Sequence, residues 1–458
     1  MDIPEIIHQQ KKYFQSQHTK NISFRKKTLQ KLRSEIIKRE ADISKALYKD
    51  FKKSEFESYS TETGIVLAEL DLIIKNIGSW AQPETVMPTM LNFPSWSKIY
   101  KEPYGCVLII APWNYPFQLA ISPLIGAIAA GNTVVLKPSE LTPNTSELIT
   151  QIMTEVFDKN HAVSIEGGVT VSQTLLEERW DYIFFTGSVG VGKIIAASAA
   201  KYLTPTTLEL GGKSPCIIDQ SAHLKLAAKR LVWGKFINGG QTCIAPDYIL
   251  IHENVKEQFV DLFRKEIENA YGQNPKNSED FPRIINLKNF NRLKRMLSNE
   301  TLLIGGETDE SDLYISPTLI NNPHLESEVM KDEIFGPILP VLTYKTEEDI
   351  DKIVMRFEKP LSFYVFTNKN NFAKALIQKY AFGGGVINDT IVHFANHRLP
   401  FGGVGHSGMG AYHGRATFDT FTHKKGVTKR YNWLDVQLKY APYKGKLKTI
   451  KFFLKYFS

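Results

Sequence analysis

Cysteine is scarce in this sequence: the 458 residues include only three, at positions 106, 216 and 243. Three thiols cannot form a complete disulfide framework, and Cys106 and Cys216 lie in apolar surroundings. Free thiols of this kind are typical of a reducing compartment. The sequence therefore argues against a disulfide-stabilised secreted scaffold, and we expect a cytoplasmic protein.

Long apolar runs and a strong charge imbalance are also absent. The first ten residues, MDIPEIIHQQ, have no apolar core of signal-peptide length, and no uninterrupted apolar run could span a bilayer. The net charge of +8 is modest for this length, so we expect no nucleic acid partner. His393 and His397 are four residues apart without a third ligand in a recognisable motif nearby, and we expect no metal site.

The residues that are present predict an α/β protein of two or three domains. Residues 1 to about 80 carry apolar side chains at helical spacing, among them Leu29, Leu32, Ile36 and Ile37. Three short apolar runs, in GCVLIIAP, NTVVLKPSE and DYIFFTGS, then alternate with helical segments. This order predicts a parallel, right-handed sheet of the Rossmann-like type, and the same alternation restarts at about Leu210.

Two segments have features of a nucleotide-binding site. FFTGSVGVGKII places Gly187 and Gly192 between a predicted strand and a predicted helix, where backbone N–H groups bind phosphate. The glycine spacing differs from G-x-G-x-x-G, so an ordinary strand-to-helix turn remains an alternative. Lys137 and Glu140 follow another buried strand, at the end where open α/β sheets bind ligands, although a solvated helix start would look the same. A carboxylate at Glu140 would accept from ribose hydroxyls and repel a 2′-phosphate, which favours NAD over NADP without excluding NADP.

A third segment, INGGQTCIAP, places Cys243 in a loop of small and polar residues, where a thiol is open to attack a carbonyl. At its ordinary pKa of about 8.5 such a thiol is mostly protonated, so it needs a base or an electropositive setting. Glu209 in TLELGGKSP ends an apolar run, which raises the pKa of a carboxyl group as a general base requires. Asn114 in APWNYPF could donate to an oxyanion. Taken singly, each has an ordinary structural alternative: an inert thiol, a structural carboxylate and a helix-capping amide.

Together these segments resemble the aldehyde dehydrogenase superfamily, and in particular its class 3 (fatty or aromatic aldehyde) branch. The resemblance covers roughly residues 100 to 425, and its motifs occur in the family's order. These motifs are APWNYPF, NTVVLKPSE, FFTGSVGVGK, LELGGKSP, NGGQTCIAPDY, DEIFGPILPV and LPFGGVGHSGMGAYHG.

The resemblance implies the chemistry of NAD(P)-dependent oxidation of an aldehyde to a carboxylic acid. Cys243 would attack the aldehyde to give a thiohemiacetal and then a thioester. Asn114 and the Cys243 backbone N–H would hold the oxyanion, and Glu209 would activate the hydrolytic water. Tyr115 and Trp233 would line the substrate pocket, and the substrate would be a medium- or long-chain, aromatic or isoprenoid, even carotenoid, aldehyde.

The resemblance also implies the residues that hold the cofactor. Glu333 in DEIFGP would hold the nicotinamide ribose, with Phe335 beside the ring. Lys137 and Glu140 would hold the adenosine ribose, and Ser188 the pyrophosphate.

The domain organisation follows from the same resemblance. Residues 1–81 and 104–208 would form the NAD-binding domain, and residues 209–390 the catalytic domain. Residues 82–103 and 391–435 would be oligomerisation or bridging segments, consistent with a homodimer. Residues 436–458 would be a basic amphipathic tail.

Two other functions fit parts of the sequence. An acylating dehydrogenase would pass the thioester to coenzyme A and would need no base for water, so Glu209 favours hydrolysis. A non-enzymatic binding protein of the same fold would be expected to lack at least one of Cys243, Asn114 and Glu209, and all are present.

The last residues, YKGKLKTIKFFLKYFS, predict a basic amphipathic helix that begins after Pro442 and Gly445. Its apolar face would comprise Leu447, Ile450, Leu454 and Phe457. The tail lysines are Lys444, Lys446, Lys448, Lys451 and Lys455, and no acidic residue follows Asp435. Such a helix could lie on the inner, anionic face of a membrane, or it could pack on the protein's own surface or on a partner subunit.

Overall fold

The computed structural model describes residues 2–89 and 92–456. The first 80 residues are largely helical, as predicted, and include a π-helical turn at Tyr59–Thr63. Leu29, Leu32 and Ile36 are three or four residues apart, so they share one face of the helix, and all three are fully buried. Ile37 directly follows Ile36, so its side chain points away from that face and is 45% exposed. The α-helices are α1 (Ile3–Gln15), α2 (Ile22–Lys38), α3 (Glu40–Phe51), α4 (Glu55–Ser58), α5 (Gly64–Trp80), α6 (Gln118–Ala130), α7 (Pro143–Val156), α8 (Val169–Glu177), α9 (Val189–Ala200), α10 (Leu224–Phe236), α11 (Lys256–Tyr271), α12 (Leu287–Met296), α13 (Glu328–Lys331), α14 (Glu347–Val354), α15 (Asn370–Lys379), α16 (Arg415–Thr420) and α17 (Leu447–Tyr456).

The strands build two large, mainly parallel sheets, and the predicted α/β class is confirmed. The strands are β1 (Glu84–Val86), β2 (Ser95–Pro103), β3 (Cys106–Ile110), β4 (Thr133–Lys137), β5 (Ala162–Ser164), β6 (Tyr182–Thr186), β7 (Thr206–Glu209), β8 (Pro215–Ile218), β9 (Tyr248–His252), β10 (Leu302–Ile304), β11 (Thr308–Asp309), β12 (Tyr314–Ile315), β13 (Thr318–Asn321), β14 (Ile338–Tyr344), β15 (Ser362–Phe366), β16 (Gly384–Ile387), β17 (Gly408–Met409) and β18 (Thr422–Arg430).

The first large sheet has the order β17-β7-β6-β3-β4-β5 and is parallel except for β17. Strands β3, β4 and β6 are buried along their whole length, which explains their continuous apolar sequences. The sequence analysis did not identify β5, because a run of three residues carries no periodicity.

The second large sheet has the order β10-β13-β14-β9-β8-β15-β16, parallel except for β10. A third sheet joins β1, β2 and β18, and the nine residues of β2 pair with those of β18 in antiparallel register. Strand β2 lies within residues 82–103, the first of the two segments for which the resemblance implies a bridging or oligomerisation role. The domain bounds given above remain a prediction.

The carboxyl ends of three strands bring candidate residues to one edge of the first sheet. Lys137 is the last residue of β4, Thr186 of β6 and Glu209 of β7. Thr186 and Glu209 are register partners on adjacent parallel strands. This is the edge at which open α/β sheets bind ligands.

The predicted tail helix is present as α17, and Phe457 lies outside the described residues. Leu447 and Leu454 are exposed, as are the aromatic side chains of Trp433 and Tyr443 in the preceding segment. Among the described helices, none combines the length and the apolar character that crossing a membrane requires.

A buried ion pair fixes the start of α6 and the loop before it. Lys53 Nζ lies 2.6 Å from Glu62 Oε1, and both side chains are fully buried. Glu62 also accepts from the backbone N–H groups of Phe117 (2.8 Å) and Gln118 (3.2 Å), which satisfies donors at the helix start. The Lys53 ammonium lies 4.6 Å from the centre of the Tyr115 ring, so the pair also positions that residue.

We expect Lys53→Met to lower the free energy of unfolding by about 3–5 kcal/mol, because it leaves the Glu62 carboxylate buried without its counter-charge. Urea denaturation of the purified variants measures the change. The control is Asp71→Asn, which breaks the exposed pair with Arg33 and should cost less than about 1 kcal/mol. Equal effects of the two variants would contradict the structural role of the buried pair.

Candidate active site

The loop that carries Cys243 is held by left-handed backbone. Asn238, Gly239 and Gly240 have φ angles of 54°, 62° and 75°. A Cβ on Gly240 would lie 2.3 Å from the carbonyl oxygen of Gly336, so only glycine allows this contact between two loops. The glycines therefore serve close packing of backbone against backbone.

Side-chain amides fix the same loop. Asn238 Nδ2 donates to the carbonyl of Asn114 (2.7 Å) and to that of Gln241 (3.1 Å). Gln241 Oε1 accepts from the backbone N–H of Ile285 at 3.0 Å. The loop is buried and cross-linked, whereas Cys243 itself is only half-buried.

Asn114 lies against the Cys243 loop. The side chain is buried, and its Nδ2 donates to the carbonyl of Gln241 at 3.0 Å. An amide nitrogen carries two hydrogens, so the second is left to donate to another acceptor. The next residue, Tyr115, is hydrogen-bonded through its hydroxyl to Thr242 Oγ1 at 2.7 Å.

One cavity of about 230 Å³ joins the candidate nucleophile to the candidate base. Apolar and aromatic side chains dominate its wall, and Glu209 is its only acidic lining residue within residues 2–89 and 92–456. Tyr115 and Trp233 both line the cavity, at the positions expected of substrate-pocket residues. Besides Glu209, Cys243, Tyr115 and Trp233, the lining residues are Ser60, Thr61, Ile65, Gln118, Leu119, Thr186, Leu210, Ile237, Thr242, Ile244, Leu361, Ile391, Val392, Phe394, Ala395, Phe401 and Tyr412.

Glu209 is a buried carboxyl group with unused hydrogen-bonding capacity. Neither Oε1 nor Oε2 has a hydrogen-bond partner in the described part of the chain. Burial raises the pKa of Glu209 well above its ordinary value. A buried carboxyl group without partners is costly, so this arrangement fits a group that meets water or substrate during a reaction.

Cys243 lies in a setting that favours the neutral thiol. Burial raises the pKa of Cys243, and the nearby carboxyl groups of Glu333 and Glu209 raise it further. The charged side chains that act on the thiol are thus acidic rather than basic, so its activation falls to a base.

Two side chains hold the segment around Glu333. Asp247 Oδ1 accepts from the backbone N–H of Ile334 (2.9 Å), and Arg292 Nη2 donates to the Ile334 carbonyl (2.7 Å). Asp247 in turn forms a buried ion pair of 2.6 Å with Lys213. Burial and the Asp247 charge raise the pKa of Glu333 to about 8.

The Glu333 carboxylate packs against backbone. A Cβ on Gly211 would lie 2.1 Å from Glu333 Oε2, so this contact requires glycine. Phe335 has a φ of 52°, and its ring lies 5.2 Å from that of Trp113 in an edge-on arrangement. Left-handed backbone at a phenylalanine is unusual and is typical of functional sites.

The candidate ribose-binding residues form a pair at the end of β4. Lys137 Nζ, which is buried, donates to Glu140 Oε2 at 2.5 Å. Burial opposes ionisation of Glu140, but the hydrogen bond from Lys137 prevails and lowers its pKa. An ionised, exposed carboxylate beside an ammonium group fits the hydroxyl groups of a ribose.

The start of α9 fits a phosphate group. Ser188 is its N-cap and accepts from the Val191 N–H at 3.4 Å, and the space beside Gly190 is open. Gly187 and Gly192 are explained by packing. A Cβ on Gly187 would lie 2.5 Å from the Phe185 side chain, and a Cβ on Gly192 would lie 2.6 Å from the Leu210 side chain. These residues therefore fit a dinucleotide. Its phosphate would bind the backbone N–H groups at the start of α9, and the glycines would serve packing.

Comparison with known families decides the class of this site. The model of the aldehyde dehydrogenase family matches residues 1–427. The chain belongs to the aldehyde dehydrogenase family. It is an oxidoreductase that oxidises aldehydes with NAD(P), and the resemblance inferred from the motifs is confirmed.

The similar proteins fall in the class 3 branch, as the sequence analysis indicated. The chain is 48% identical over 455 residues to the 4,4'-diaponeurosporen-aldehyde dehydrogenase of Staphylococcus aureus, covering 99% of both chains. It is 44% identical over 412 residues to aldehyde dehydrogenase family 3 member A2 of Macaca fascicularis, covering 90% of this chain and 85% of the relative. The solved structure of the substrate-bound state of Staphylococcus aureus AldH has a TM-score of 0.97 at 48% identity and covers 99% of this chain and 100% of that one.

The sequence analysis missed several residues that this aldehyde dehydrogenase site contains. Asp247 and Lys213 stand within the quoted motifs NGGQTCIAPDY and LELGGKSP, yet their pairing joins segments 34 residues apart and has no local signal. Arg292 lies outside every motif. Thr186, whose buried Oγ1 has no partner among the described residues, could have been found from its place at the end of a buried strand.

We expect Cys243→Ser to abolish aldehyde oxidation and to leave NAD binding largely intact, because a neutral hydroxyl is a far weaker nucleophile than a thiolate. Absorbance of the reduced cofactor measures turnover, and calorimetry measures binding. Cys216→Ala is the matched control, because it removes a thiol buried in β8 and should retain activity. Near-normal turnover by Cys243→Ser would overturn the assignment of the nucleophile.

Proposed function

We propose that this aldehyde dehydrogenase oxidises apolar aldehydes through a thioester on Cys243, and that Glu209 is the base for thioester hydrolysis. The observation that carries the proposal is the single cavity that contains both the Cys243 thiol and the partnerless Glu209 carboxyl group. Apart from these two, its walls are mostly apolar.

In the first half of the reaction, Cys243 loses its proton to a base and its sulfur bonds to the aldehyde carbon. Glu209 and Glu333 are the two carboxyl groups that act on the thiol electrostatically, and Glu209 shares its cavity. The Asn114 amide and the Cys243 backbone N–H are the assigned donors to the oxyanion. NAD(P), when bound, supplies the hydride acceptor. Lys137, Glu140, Ser188, Glu333 and Phe335 are the assigned cofactor-binding residues.

In the second half, Glu209 takes a proton from water, whose oxygen bonds to the thioester carbon. The carbon–sulfur bond breaks, the acid leaves, and Cys243 regains a thiolate that is reprotonated. Glu209 supports hydrolysis over transfer to coenzyme A, because a thiol acceptor would not require a base aimed at water.

The substrate class follows from the wall of the cavity. The side chains of Ile237, Ile391, Val392, Phe394 and Phe401 offer aliphatic and aromatic contact. A wall of this kind favours an isoprenoid or long-chain aldehyde over a short, hydrated one. The name of the Staphylococcus aureus relative, a diaponeurosporen-aldehyde dehydrogenase, supports an isoprenoid substrate.

We expect Glu209→Gln to form the thioester but to hydrolyse it 10²- to 10⁴-fold more slowly, the usual contribution of a general base. After mixing with an apolar aldehyde and NAD, a burst of reduced cofactor should be followed by a slow steady state. Mass spectrometry should then detect an acyl group on Cys243. The control is Glu140→Gln, which also replaces a carboxylate with an amide but lies outside the cavity wall and should not trap the adduct. Absence of both burst and adduct in Glu209→Gln would contradict this role.

We also propose that the enzyme is a homodimer that contacts anionic membranes through its tail. Support for a dimer comes from the edge strand β1, whose residues Glu84–Val86 are all exposed and leave one side of the third sheet open for pairing. The matched family region ends at residue 427, so the tail lies beyond it.

The tail has the composition of an interfacial helix. Leu447 is 62% exposed and Leu454 50%, on a helix with lysine at positions 448, 451 and 455. Trp433 and Tyr443 add exposed aromatic side chains of the kind that sit at membrane interfaces. Each lysine near an anionic surface contributes about 1 kcal/mol at low salt.

We expect the full chain to co-sediment with vesicles containing anionic lipid at low salt, and less so at high salt. A chain that ends at Tyr443 should remain in the supernatant. A full chain with Lys448, Lys451 and Lys455 changed to Gln retains the apolar face and should bind more weakly and with less salt dependence. Equal binding by full and shortened chains, or none by either, would exclude the tail as an anchor.

A further inference from the structure

Cys243 lies in a hydrogen-bonded turn. The backbone N–H of Ala245 donates to the carbonyl of Thr242 at 2.9 Å, so Cys243 and Ile244 are the two central residues of a β-turn. This bond closes the turn but does not orient it within the molecule. The orientation decides where the sulfur and the Cys243 N–H point, so the contacts of the turn with other segments set the geometry of attack.

A buried phenol from the second large sheet holds one side of this turn. Tyr364 Oη donates to the carbonyl of Ile244 at 2.5 Å. Tyr364 is fully buried in β15, where its register partners are Cys216 of β8 on one side and Val386 of β16 on the other. Because strands flank it on both sides, its backbone is fixed, and its hydroxyl group is a donor of fixed position.

A second phenol holds the other side of the turn. The Tyr115 hydroxyl is hydrogen-bonded to Thr242 Oγ1 at 2.7 Å. Tyr115 lies between β3 of the first large sheet and α6, and the Lys53 ammonium lies 4.6 Å from its ring centre. The turn is therefore held between one phenol from the side of each large sheet, at the residues directly before and after Cys243.

The Ile244 carbonyl depends on Tyr364 for its hydrogen bond. Within residues 2–89 and 92–456, no other group donates to this carbonyl. Burial raises the pKa of Tyr364 above its ordinary value, so the phenol keeps its hydrogen at neutral pH. Ile244 is itself only 5% exposed. Without the phenol, the carbonyl would have to find another donor, which would turn the peptide that follows Cys243.

Tyr364 acts from outside the cavity. Its side chain is not part of the cavity wall, whereas Thr242, Cys243 and Ile244 line it. Removing the Tyr364 hydroxyl therefore leaves the apolar surface that would bind an aldehyde intact. Any effect on the reaction passes through the position of the turn, which distinguishes positioning from substrate binding.

We propose that Tyr364 is a positioning residue for aldehyde oxidation, whose hydroxyl, opposite that of Tyr115, fixes the turn that carries Cys243. This inference rests on the proposed role of Cys243 as the nucleophile. Attack requires the sulfur and the oxyanion donor to meet the same carbonyl group, and a misplacement of about 1 Å in such a geometry can lower the rate about 100-fold. Tyr364 itself neither contacts the aldehyde nor exchanges a proton.

The test compares two reactions of Cys243 in the full-length enzyme. The burst of reduced cofactor after mixing with an apolar aldehyde and NAD requires the sulfur, the oxyanion donor and the cofactor to be aligned. Alkylation of Cys243 by iodoacetamide without cofactor, followed by mass spectrometry, requires only the thiolate. We expect Tyr364→Phe to lower the burst rate about 10- to 100-fold. The alkylation rate, and the aldehyde concentration that gives a half-maximal burst, should stay near those of the unmodified enzyme.

Tyr344→Phe is the matched control. Tyr344 is a buried tyrosine of β14 in the same sheet, and its hydroxyl donates to the carbonyl of Ile218 at 3.3 Å, which is not part of the Cys243 turn. Each variant removes one hydrogen bond from a phenol to a backbone carbonyl. Tyr344→Phe should therefore keep the burst rate of the unmodified enzyme, and urea denaturation shows that both variants are folded.

A change on the other side of the turn tests the same hold. Thr242→Val has nearly the same shape but lacks the hydroxyl that contacts Tyr115. It should lower the burst rate while leaving alkylation of Cys243 near normal. This variant keeps the proposal testable even if Tyr364→Phe folds poorly.

The outcomes separate this inference from the proposed function. An unchanged burst rate in folded Tyr364→Phe, or equal losses in Tyr364→Phe and Tyr344→Phe, would overturn the role of Tyr364. Parallel loss of burst and alkylation would also overturn it, because it would indicate general damage to the site. If Tyr364→Phe does not fold, an unchanged burst rate in Thr242→Val would have the same consequence. Near-normal turnover by Cys243→Ser would instead overturn the nucleophile and the proposed function with it.

Discussion

Burial of the ionisable groups at the site is the constraint on which the rest of the site depends. Burial raises the pKa of Glu209, Glu333 and Cys243 together, so each favours its neutral form unless a specific partner stabilises its charge. A fixed donor acts more strongly in such a setting than in water. The chemistry is therefore decided by where single donors and acceptors are placed, which makes the geometry of the surrounding backbone critical.

That geometry is fixed by contacts between segments far apart in the chain. Gly240 allows the nucleophile loop to touch the carbonyl of Gly336, and Gly211 allows the Glu333 carboxylate to lie against β7's end. Asp247 links these two contacts, because it follows the Cys243 loop in the chain and accepts a hydrogen bond from the backbone N–H of Ile334, next to Glu333. Its buried ion pair with Lys213 holds the Asp247 carboxylate in place. A shift in one loop would move both the sulfur and the carboxylate that acts on it.

These contacts mark the limit of what the sequence predicts. Buried strands and amphipathic helices have local periodicity, so the α/β class and most elements could be predicted, and the motifs predicted the family. The pairing of Lys213 with Asp247 and the short strand β5 have no local signal in the sequence. Nor does the glycine content of the Cys243 loop show that left-handed backbone and buried amides hold it in place.

Under the proposed function, the cavity and the tail would serve two different steps for one kind of substrate. An apolar aldehyde has little affinity for water, so a buried apolar wall can bind it but cannot by itself bring it from a lipid phase. The candidate chemical residues all lie before residue 427, within the matched family region, whereas α17 lies after it. Surface attraction through lysines is screened by salt and does not depend on the pKa values inside the cavity. If the tail binds membranes as proposed, a change in the tail should alter the supply of substrate without altering the hydrolysis of the thioester.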